Sequence, residues 1–310
     1  MSRIVIALGG NALQKDGETS AESQKLVAIE TARQLVELIK DGHELVIAHG
    51  NGPQVGAILL NEENGSKTPA PLDTCVGMSQ GEIGYWLQQA LTNELRKQGI
   101  TKTAATVVTQ VVVDASDPAF NDPSKPIGPF YPDEATAKEA AAERQFVVKE
   151  DAGRGWRRVV ASPQPIDIVE KDIIKQAIAA GNIIIAAGGG GIPVTQKDAM
   201  MVGTEAVIDK DFAAEKLAEL VEADVLLILT AVDDISVNYR TPEEQSLATV
   251  TIEEMQAYVD QGQFAPGSML PKVQAAVRFA SKGKGHEAIV TSPQKAAAAL
   301  RGPVGTHIKG

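Results

Sequence analysis

The sequence predicts an α/β fold in which helices cover both faces of a mostly parallel sheet. Short runs rich in β-branched residues alternate along the chain with longer segments of helical periodicity. The short runs are apolar at consecutive positions, as expected for strands buried on both faces, and three of them end in glycine-rich turns. The length of 310 residues and the hydrophobic content of 44% suit a globular chain of one large domain or two ordinary ones.

The first predicted strand is Arg3–Leu8, which ends in Gly9-Gly10-Asn11. A helix follows, because apolar residues recur from Ile29 at the spacing i, i+3, i+7 and i+10. The remaining elements of this half are a helix stop at Asp41-Gly42, a strand over 44–48 that ends in His49-Gly50-Asn51-Gly52-Pro53, an amphipathic helix over 79–98 closed by Gly99, and a long strand over 104–113.

The composition of segment 115–165 predicts a small inserted subdomain that lies apart from the main sheet. Its first part is rich in prolines, which fix their own backbone and keep the preceding residues out of helices, so it is not expected to form a core element. A short helix over 133–144 follows. Two strand-like runs, 145–149 and Trp156–Val160, are joined by Asp151-Ala152-Gly153-Arg154-Gly155, which is typical of a hairpin.

The second half returns to alternating helices and strands. The predicted elements are a helix over 168–180, a strand over 182–187 that ends in Gly188-Gly189-Gly190-Gly191, a helix over 210–222, a strand over 224–230 that ends in Ala231-Val232-Asp233-Asp234, a helix over 267–282, a strand over 287–290, and a last helix that starts at Ser292-Pro293 and ends at Gly302.

Composition excludes several classes of protein. The formal net charge is −11, which argues against nucleic-acid and anionic-membrane partners because both need a basic surface. No apolar run approaches the roughly 20 residues that span a bilayer, and the first residues lack the order of a signal peptide. Cys75 is the one cysteine, so neither an intrachain disulfide nor a cysteine-based metal site is possible. We therefore expect a cytoplasmic protein.

The three glycine-rich turns predict a site for a polyphosphate. Ligands of parallel sheets bind beyond the carboxyl ends of the strands, where glycine lets backbone N–H groups approach an anion and a following helix adds its dipole. The alternative is that the glycines only make tight turns. The P-loop pattern, the dinucleotide pattern after a strand and the hydrolase G-x-S-x-G pattern are all absent.

Three lysines are candidates for contact with phosphate. Lys210 lies at a helix start within Asp209-Lys210-Asp211, Lys272 lies in the first turn of the helix that Ser268 would cap, and Lys125 lies in the proline-rich insert. For each of them the alternative is an ordinary solvated lysine, and Asp209 and Asp211 suit any helix start. No histidine has a metal-binding spacing, and Ser79-Gln80-Gly81 is interpreted as a helix start.

The chain resembles the carbamate kinases, a branch of the amino acid kinase family. The resemblance runs nearly end to end. It rests on Ala7-Leu8-Gly9-Gly10-Asn11-Ala12-Leu13, on His49-Gly50-Asn51-Gly52-Pro53-Gln54-Val55-Gly56, on Met78-Ser79-Gln80-Gly81, on Lys125-Pro126-Ile127-Gly128-Pro129, and on segments 151–158, 188–193, 205–212 and 264–273.

This resemblance implies an open αβα sandwich, a single amino acid kinase domain over 1–310 with a protruding lid over 115–165, and a homodimer. It implies reversible phosphoryl transfer between ATP and carbamate, giving ADP and carbamoyl phosphate, used to make ATP in arginine catabolism. Mg²⁺ would be carried by the nucleotide. Another member of the family that phosphorylates a different carboxylate or phosphate is the first alternative, followed by a non-catalytic nucleotide sensor and an interaction scaffold.

The resemblance also assigns roles to residues. Lys210 and Lys272 would contact the transferred phosphate, Asp211 would organise them, and Lys125 would reach the small substrate from the lid. The nucleotide phosphates and base would lie on Gly9, Gly10, Asn11, Gly188, Gly189, Ala231, Asp233 and Ser268. Carbamate or carbamoyl phosphate would lie on Gly50, Asn51 and Gly52.

Overall fold

The computed structural model describes residues 1–10, 13, 20–151, 155–283 and 285–310. Its helices are α1 Ala21–Lys40, α2 Gly52–Gly65, α3 Leu72–Lys97, α4 Glu134–Arg144, α5 Lys171–Ala179, α6 Lys210–Leu220, α7 Ile252–Asp260, α8 Met269–Ala280 and α9 Ala296–Arg301. Its strands are β1 Arg3–Leu8, β2 Glu44–His49, β3 Ala104–Thr106, β4 Gln110–Val113, β5 Lys125–Tyr131, β6 Val147–Glu150, β7 Trp156–Val160, β8 Pro165–Ile168, β9 Ile183–Ile185, β10 Ile192–Lys197, β11 Met200–Gly203, β12 Val225–Leu229, β13 Ile235–Val237, β14 Gln245–Leu247, β15 Thr249–Thr251, β16 Glu287–Thr291 and β17 Thr306–Lys309.

The largest sheet within these residues has eight strands in the order β15-β17-β16-β12-β1-β2-β9-β3. Every neighbouring pair is parallel except β16 and β17. Alternate residues of β1 enter two separate apolar layers: Val5 and Ala7 pack with α5, α6 and α8, whereas Ile4, Ile6 and Leu8 pack with α1, α3 and α9. The predicted αβα sandwich with a mostly parallel sheet is therefore confirmed, and the six mutually parallel strands, from β16 to β3 in this order, end at one edge of the sheet.

Three smaller sheets lie beside the large one. The order is β11-β10-β4-β8 in the first, β5-β7-β6 in the second and β13-β14 in the third. The proline-containing β5 takes the edge position, where fewer N–H donors are needed. With α4, the second sheet forms the body of segment 115–165, and a small apolar cluster that includes Val55, Ile127 and Val160 packs it against α2. Whether this segment moves as a lid stays a prediction.

Several predicted boundaries are wrong. Helix α3 begins at Leu72, because its apolar stripe continues through Cys75 and Val76. The run 104–113 is two strands in different sheets, with the change of direction at 107–109. Ile168 pairs in β8 before α5 begins. Strands β5, β8, β10, β11, β13–β15 and β17 and helix α7 were not predicted from the sequence.

The glycine run after β9 also differs from the prediction. Gly188–Gly190 forms a single 3-10 turn and then leads into β10, so no long helix follows this turn. By contrast, α2 starts directly at Gly52, as the helix-dipole argument requires. Within the described part of the chain, no helix is both long and apolar enough to cross a membrane.

Candidate active site

A cavity of about 430 Å³ opens at the carboxyl edge of the large sheet. Its walls are the turns after β1 and β2, the start of α2, strand β5 of the small sheet, and the first turns of α6 and α8. This is where the topology of a parallel sheet places ligands.

Two lysines share one buried carboxylate in this cavity. Lys210 Nζ lies 2.6 Å from Asp211 Oδ1, and Lys272 Nζ lies 3.2 Å from Asp211 Oδ2. The Asp211 side chain is 3% exposed, whereas the lysines are 15% and 14% exposed. Each oxygen of Asp211 therefore holds one ammonium group, and the two lysines face the same space.

Local structure explains this arrangement. Asp209 caps α6, because its Oδ1 accepts the N–H of Asp211 at 2.9 Å, and this places Lys210 at the first position of the helix. A Cβ at Gly50 would lie 3.2 Å from Cδ of Lys210, so the glycine lets the lysine stem pass close to the turn after β2. The Ser268 side chain makes no capping bond, but its carbonyl accepts a hydrogen bond from Lys272 Nζ at 3.0 Å.

Lys125 reaches the same cavity from β5. Its Nζ lies 2.7 Å from Oδ2 of Asp209, so one aspartate both caps α6 and holds the lysine of the small sheet. Burial alone would raise the pKa of Asp209, but the ammonium groups of Lys125 and Lys210 outweigh it and hold that pKa below its usual value. Asp209 is thus an anion at neutral pH.

The charges of the cavity favour an anion. Three ammonium groups, Lys125, Lys210 and Lys272, face two carboxylates, Asp209 and Asp211, which leaves one positive charge. Burial and then the neighbouring Lys210 lower the pKa of Lys272, because both disfavour a second ammonium group there. A bound polyphosphate would relieve this repulsion.

The structure brings most of the candidate residues together. Besides the lysines, Gly10, Gly50, Asn51, Gly52, Gly189 and Ser268 line the cavity. Gly188 lies behind it, where a Cβ would come within 2.5 Å of His49 Nε2. The Gly9 N–H donates to the carbonyl of Leu229. Ala231 and Asp233 lie outside the cavity lining, and Asn11 lies outside the described residues.

His49 lies just beneath the cavity and is fully buried. Burial lowers its pKa to about 4, although the hydrogen bond to the Gly50 carbonyl opposes this change. The ring is therefore neutral at pH 7, and because a carbonyl only accepts, Nδ1 carries the proton. A neutral ring bonded to backbone suits a structural rather than a catalytic role for His49.

The sequence interpretation missed three polar residues around the cavity. Asp209 was assigned only to the helix start, and its contact with Lys125 joins residues 84 positions apart. Ser79 and Gln80 were interpreted as a helix start, but they lie inside α3, beneath the turns after β2 and β9. Among the described residues, no group of three or more His, Cys, Asp or Glu side chains could hold a metal ion.

The amino acid kinase family model matches residues 2–292. The chain belongs to the amino acid kinase family. Within this family, it is 52% identical over 313 residues to the carbamate kinase of Clostridium perfringens, covering 99% of each chain. It is likewise 52% identical over 311 residues to that of Pyrococcus furiosus, covering 99% of this chain and 98% of the other.

A solved structure of Giardia lamblia carbamate kinase bound to AMP-PNP is 41% identical to the chain and superposes with a TM-score of 0.93, covering 99% of this chain and 98% of that one. These similarities confirm the resemblance to carbamate kinases indicated by the motifs.

Proposed function

We propose that the protein is a carbamate kinase, which transfers a phosphoryl group reversibly between ATP and carbamate and gives ADP and carbamoyl phosphate. The observation that carries the proposal is the pair of ammonium groups, Lys210 and Lys272, held by Asp211 at the carboxyl edge of the sheet. The similarity to carbamate kinases over nearly the whole chain supports the choice of carbamate as acceptor.

The chemistry follows from the charge of the reactants. A carbamate oxygen attacks the γ-phosphorus of ATP, a new P–O bond forms, and the bond to the β–γ bridging oxygen breaks as ADP leaves. Carbamate is already an anion, so its oxygen needs no general base. Catalysis then depends on alignment and on positive charge around the transferred group, which Lys210 and Lys272 supply.

The acceptor binds at the turn after β2. Helix α2 begins at Gly52, and the Asn51 side chain does not cap it, which leaves backbone N–H groups at this helix start to bind an anion. Lys125 faces the same space from β5 and neutralises the charge of carbamate or carbamoyl phosphate. The segment 115–165 carries this lysine, and in our proposal it acts as the lid.

The nucleotide occupies the other side of the cavity. Its phosphates contact the backbone of Gly10 and Gly189, with Gly9, Gly188 and Ser268 around them, and the base extends towards Ala231 and Asp233. Mg²⁺ enters as part of the nucleotide complex, since the phosphate oxygens are ligands that it prefers.

We also infer a homodimer that works in the cytoplasm, where ATP and ADP are available, and that makes ATP from carbamoyl phosphate in arginine catabolism. The outer face of α3 exposes Met78 and Tyr85, and strand β11 exposes Met200 and Met201. Apolar surface of this kind suits a symmetric contact with a second copy of the chain. Sedimentation velocity measures the assembly state directly.

The test of the function is ATP formation from ADP, Mg²⁺ and carbamoyl phosphate in a coupled assay. Acetyl phosphate and the phosphates of amino-acid acceptors serve as competing substrates. We expect carbamoyl phosphate to be preferred by at least about a hundredfold in kcat/KM, because the site is built around one small acceptor. A stronger reaction with another acyl phosphate would assign the chain to a different branch of the family.

A further inference from the structure

Two neighbouring residues of α3, Ser79 and Gln80, lie beneath the cavity and are not among the residues that line it. Gln80 is 1% exposed and uses its whole amide. Its Nε2 donates to the carbonyls of Thr109 at 3.1 Å and Gly188 at 3.0 Å, and its Oε1 accepts the Thr109 N–H at 2.9 Å. One side chain therefore ties the glycine turn after β9 to the bend between β3 and β4.

Ser79 holds the other turn of the site. Its Oγ accepts a hydrogen bond from Asn51 Nδ2 at 2.8 Å and donates to the carbonyl of Val76 at 2.6 Å. Both Ser79 and Asn51 are buried, so this bond is shielded from water. It fixes the side chain of Asn51, whose backbone opens α2 at the edge of the cavity.

The turn after β2 and the glycine turn after β9 are also in direct contact. A Cβ at Gly189 would lie 2.1 Å from Nδ2 of Asn51, and a Cβ at Gly188 would lie 3.2 Å from Cγ of Gln80. The glycine turn, the Asn51 amide and the α3 side chains are therefore packed with no space between them. A shift of one part displaces the others.

We propose that Ser79 and Gln80 are positioning residues for phosphoryl transfer, which hold the acceptor turn at Asn51 and the nucleotide turn at Gly188–Gly191 at a fixed separation. This inference rests on the proposed function. Transfer needs the attacking oxygen and the phosphorus within about 3.5 Å, so a misplacement of about 1 Å has a large effect on rate. Neither residue needs to touch a reacting atom.

The first test replaces Gln80 by Met and compares it with Gln88→Met. Gln88 lies on the same helix and also uses its amide to hold backbone, since its Oε1 accepts the Thr106 N–H at 2.8 Å, but Thr106 does not line the cavity. We expect Gln80→Met to lower kcat for ATP formation by about tenfold or more and Gln88→Met to change it by less than about twofold. Equal effects would overturn the proposal.

The second test uses Ser79→Ala, which removes one hydroxyl and is expected to fold even if Gln80→Met does not. Its control is Thr92→Ala on the same helix, which loses only a bond from Oγ1 to the Gln88 carbonyl. We expect Ser79→Ala to raise KM for carbamoyl phosphate by about fivefold while KM for ADP stays within about twofold. A loss of stability with unchanged KM values would reduce Ser79 to a structural residue.

A readout that does not depend on the reaction separates this proposal from the proposed function. Hydrogen exchange of the Thr109 amide and of 187–191 is measured in the wild type and both glutamine variants. We expect Gln80→Met to speed exchange there by about tenfold and Gln88→Met to leave it unchanged. If the wild type makes no ATP but the exchange differs in this way, the proposed function fails while the holding role stands. If exchange is unchanged, the holding role fails.

Discussion

Lys210 and Lys272 reach the cavity from helices packed on the eight-stranded sheet, whereas Lys125 reaches it from the edge strand of a separate three-stranded sheet. The first two share a buried carboxylate, and their side chains are 15% and 14% exposed. Lys125 has one ion pair with Asp209, and its side chain is 30% exposed. We call Lys210 and Lys272, which share a buried carboxylate, the rigid pair; Lys125 is more exposed and has a single ion pair.

This difference indicates that the lysines on the two sides of the cavity have different roles. Charges that stabilise a transition state must be in place before the reaction, because reorganising them would raise the barrier. A charge that captures a small substrate and then releases the product benefits from a mobile support. The pair around Asp211 suits the first task and Lys125 suits the second.

The largest expected effect is a loss of turnover when either lysine of the rigid pair is replaced. Lys210→Ala or Lys272→Ala should each lower kcat by roughly 10²–10³-fold, as deletions of preorganised charge do elsewhere. Lys216→Ala on α6 is the control, because Lys216 pairs with Glu219 at 2.7 Å and lies away from the cavity. Steady-state kinetics measure kcat, and the circular dichroism of each variant shows whether it is folded. Near-normal turnover of both variants would remove these lysines from catalysis.

Removing the carboxylate of Asp211 tests how much the buried contact of Lys210 and Lys272 with this group contributes to stability. Asp211→Asn leaves two ammonium groups facing each other without the carboxylate that they share, so we expect a loss of about 3 kcal/mol of unfolding free energy together with reduced kcat. Glu219 is a matched control, because it also contacts two lysines, Lys216 and Lys282, but is 34% exposed.

Glu219→Gln should cost less than about 1 kcal/mol, as solvent screens its ion pairs. Urea denaturation measures both variants. Equal losses at Asp211 and Glu219 would show that burial does not distinguish the two carboxylates.

Lys125, on the small sheet, predicts a different kinetic signature. Lys125→Ala should raise KM for carbamoyl phosphate by about tenfold and lower kcat less than either variant of the rigid pair, because it removes binding more than transition-state charge. Lys149→Ala, in the same small sheet, loses only an exposed pair with Asp122 and should behave like the wild type. An unchanged KM in Lys125→Ala would contradict the lid role.

The comparison also shows what the sequence can and cannot predict. Lys210, Asp211 and the strand ends lie in short segments with local signals, namely a helix cap, helical periodicity and glycine after apolar runs. The contact of Lys272 with Asp211 spans 61 positions and that of Lys125 with Asp209 spans 84, and periodicity carries no information about such pairs. The motif resemblance, rather than the pattern, indicated that these lysines act together.

The wrong prediction of a single strand over 104–113 has a similar cause. The bend at Thr109 contains neither Gly nor Pro, and the apolar residues on both sides continue a single strand-like run. The contacts that hold this bend are tertiary: Gln80 bonds both backbone groups of Thr109, and the Thr109 carbonyl also accepts the N–H of Ile192 in β10 at 2.9 Å. A glutamine 29 positions earlier gives no local signal of this role.

The smallest expected effect is on the pH dependence of kcat/KM, through the pKa of Lys272. Burial and then Lys210 lower the pKa of Lys272 from 10.5, so its ammonium group loses its proton at a lower pH than an exposed lysine. In the proposed mechanism the charged form of Lys272 stabilises the transferred group, so kcat/KM should fall as pH rises through this lowered pKa. Lys272→Arg stays charged and should move the alkaline fall upwards, whatever its effect on the maximum rate, while Lys216→Arg should leave the profile unchanged. An identical alkaline limb in the wild type and Lys272→Arg would mean that another group controls it, and that the charge of Lys272 is not what the rigid pair contributes.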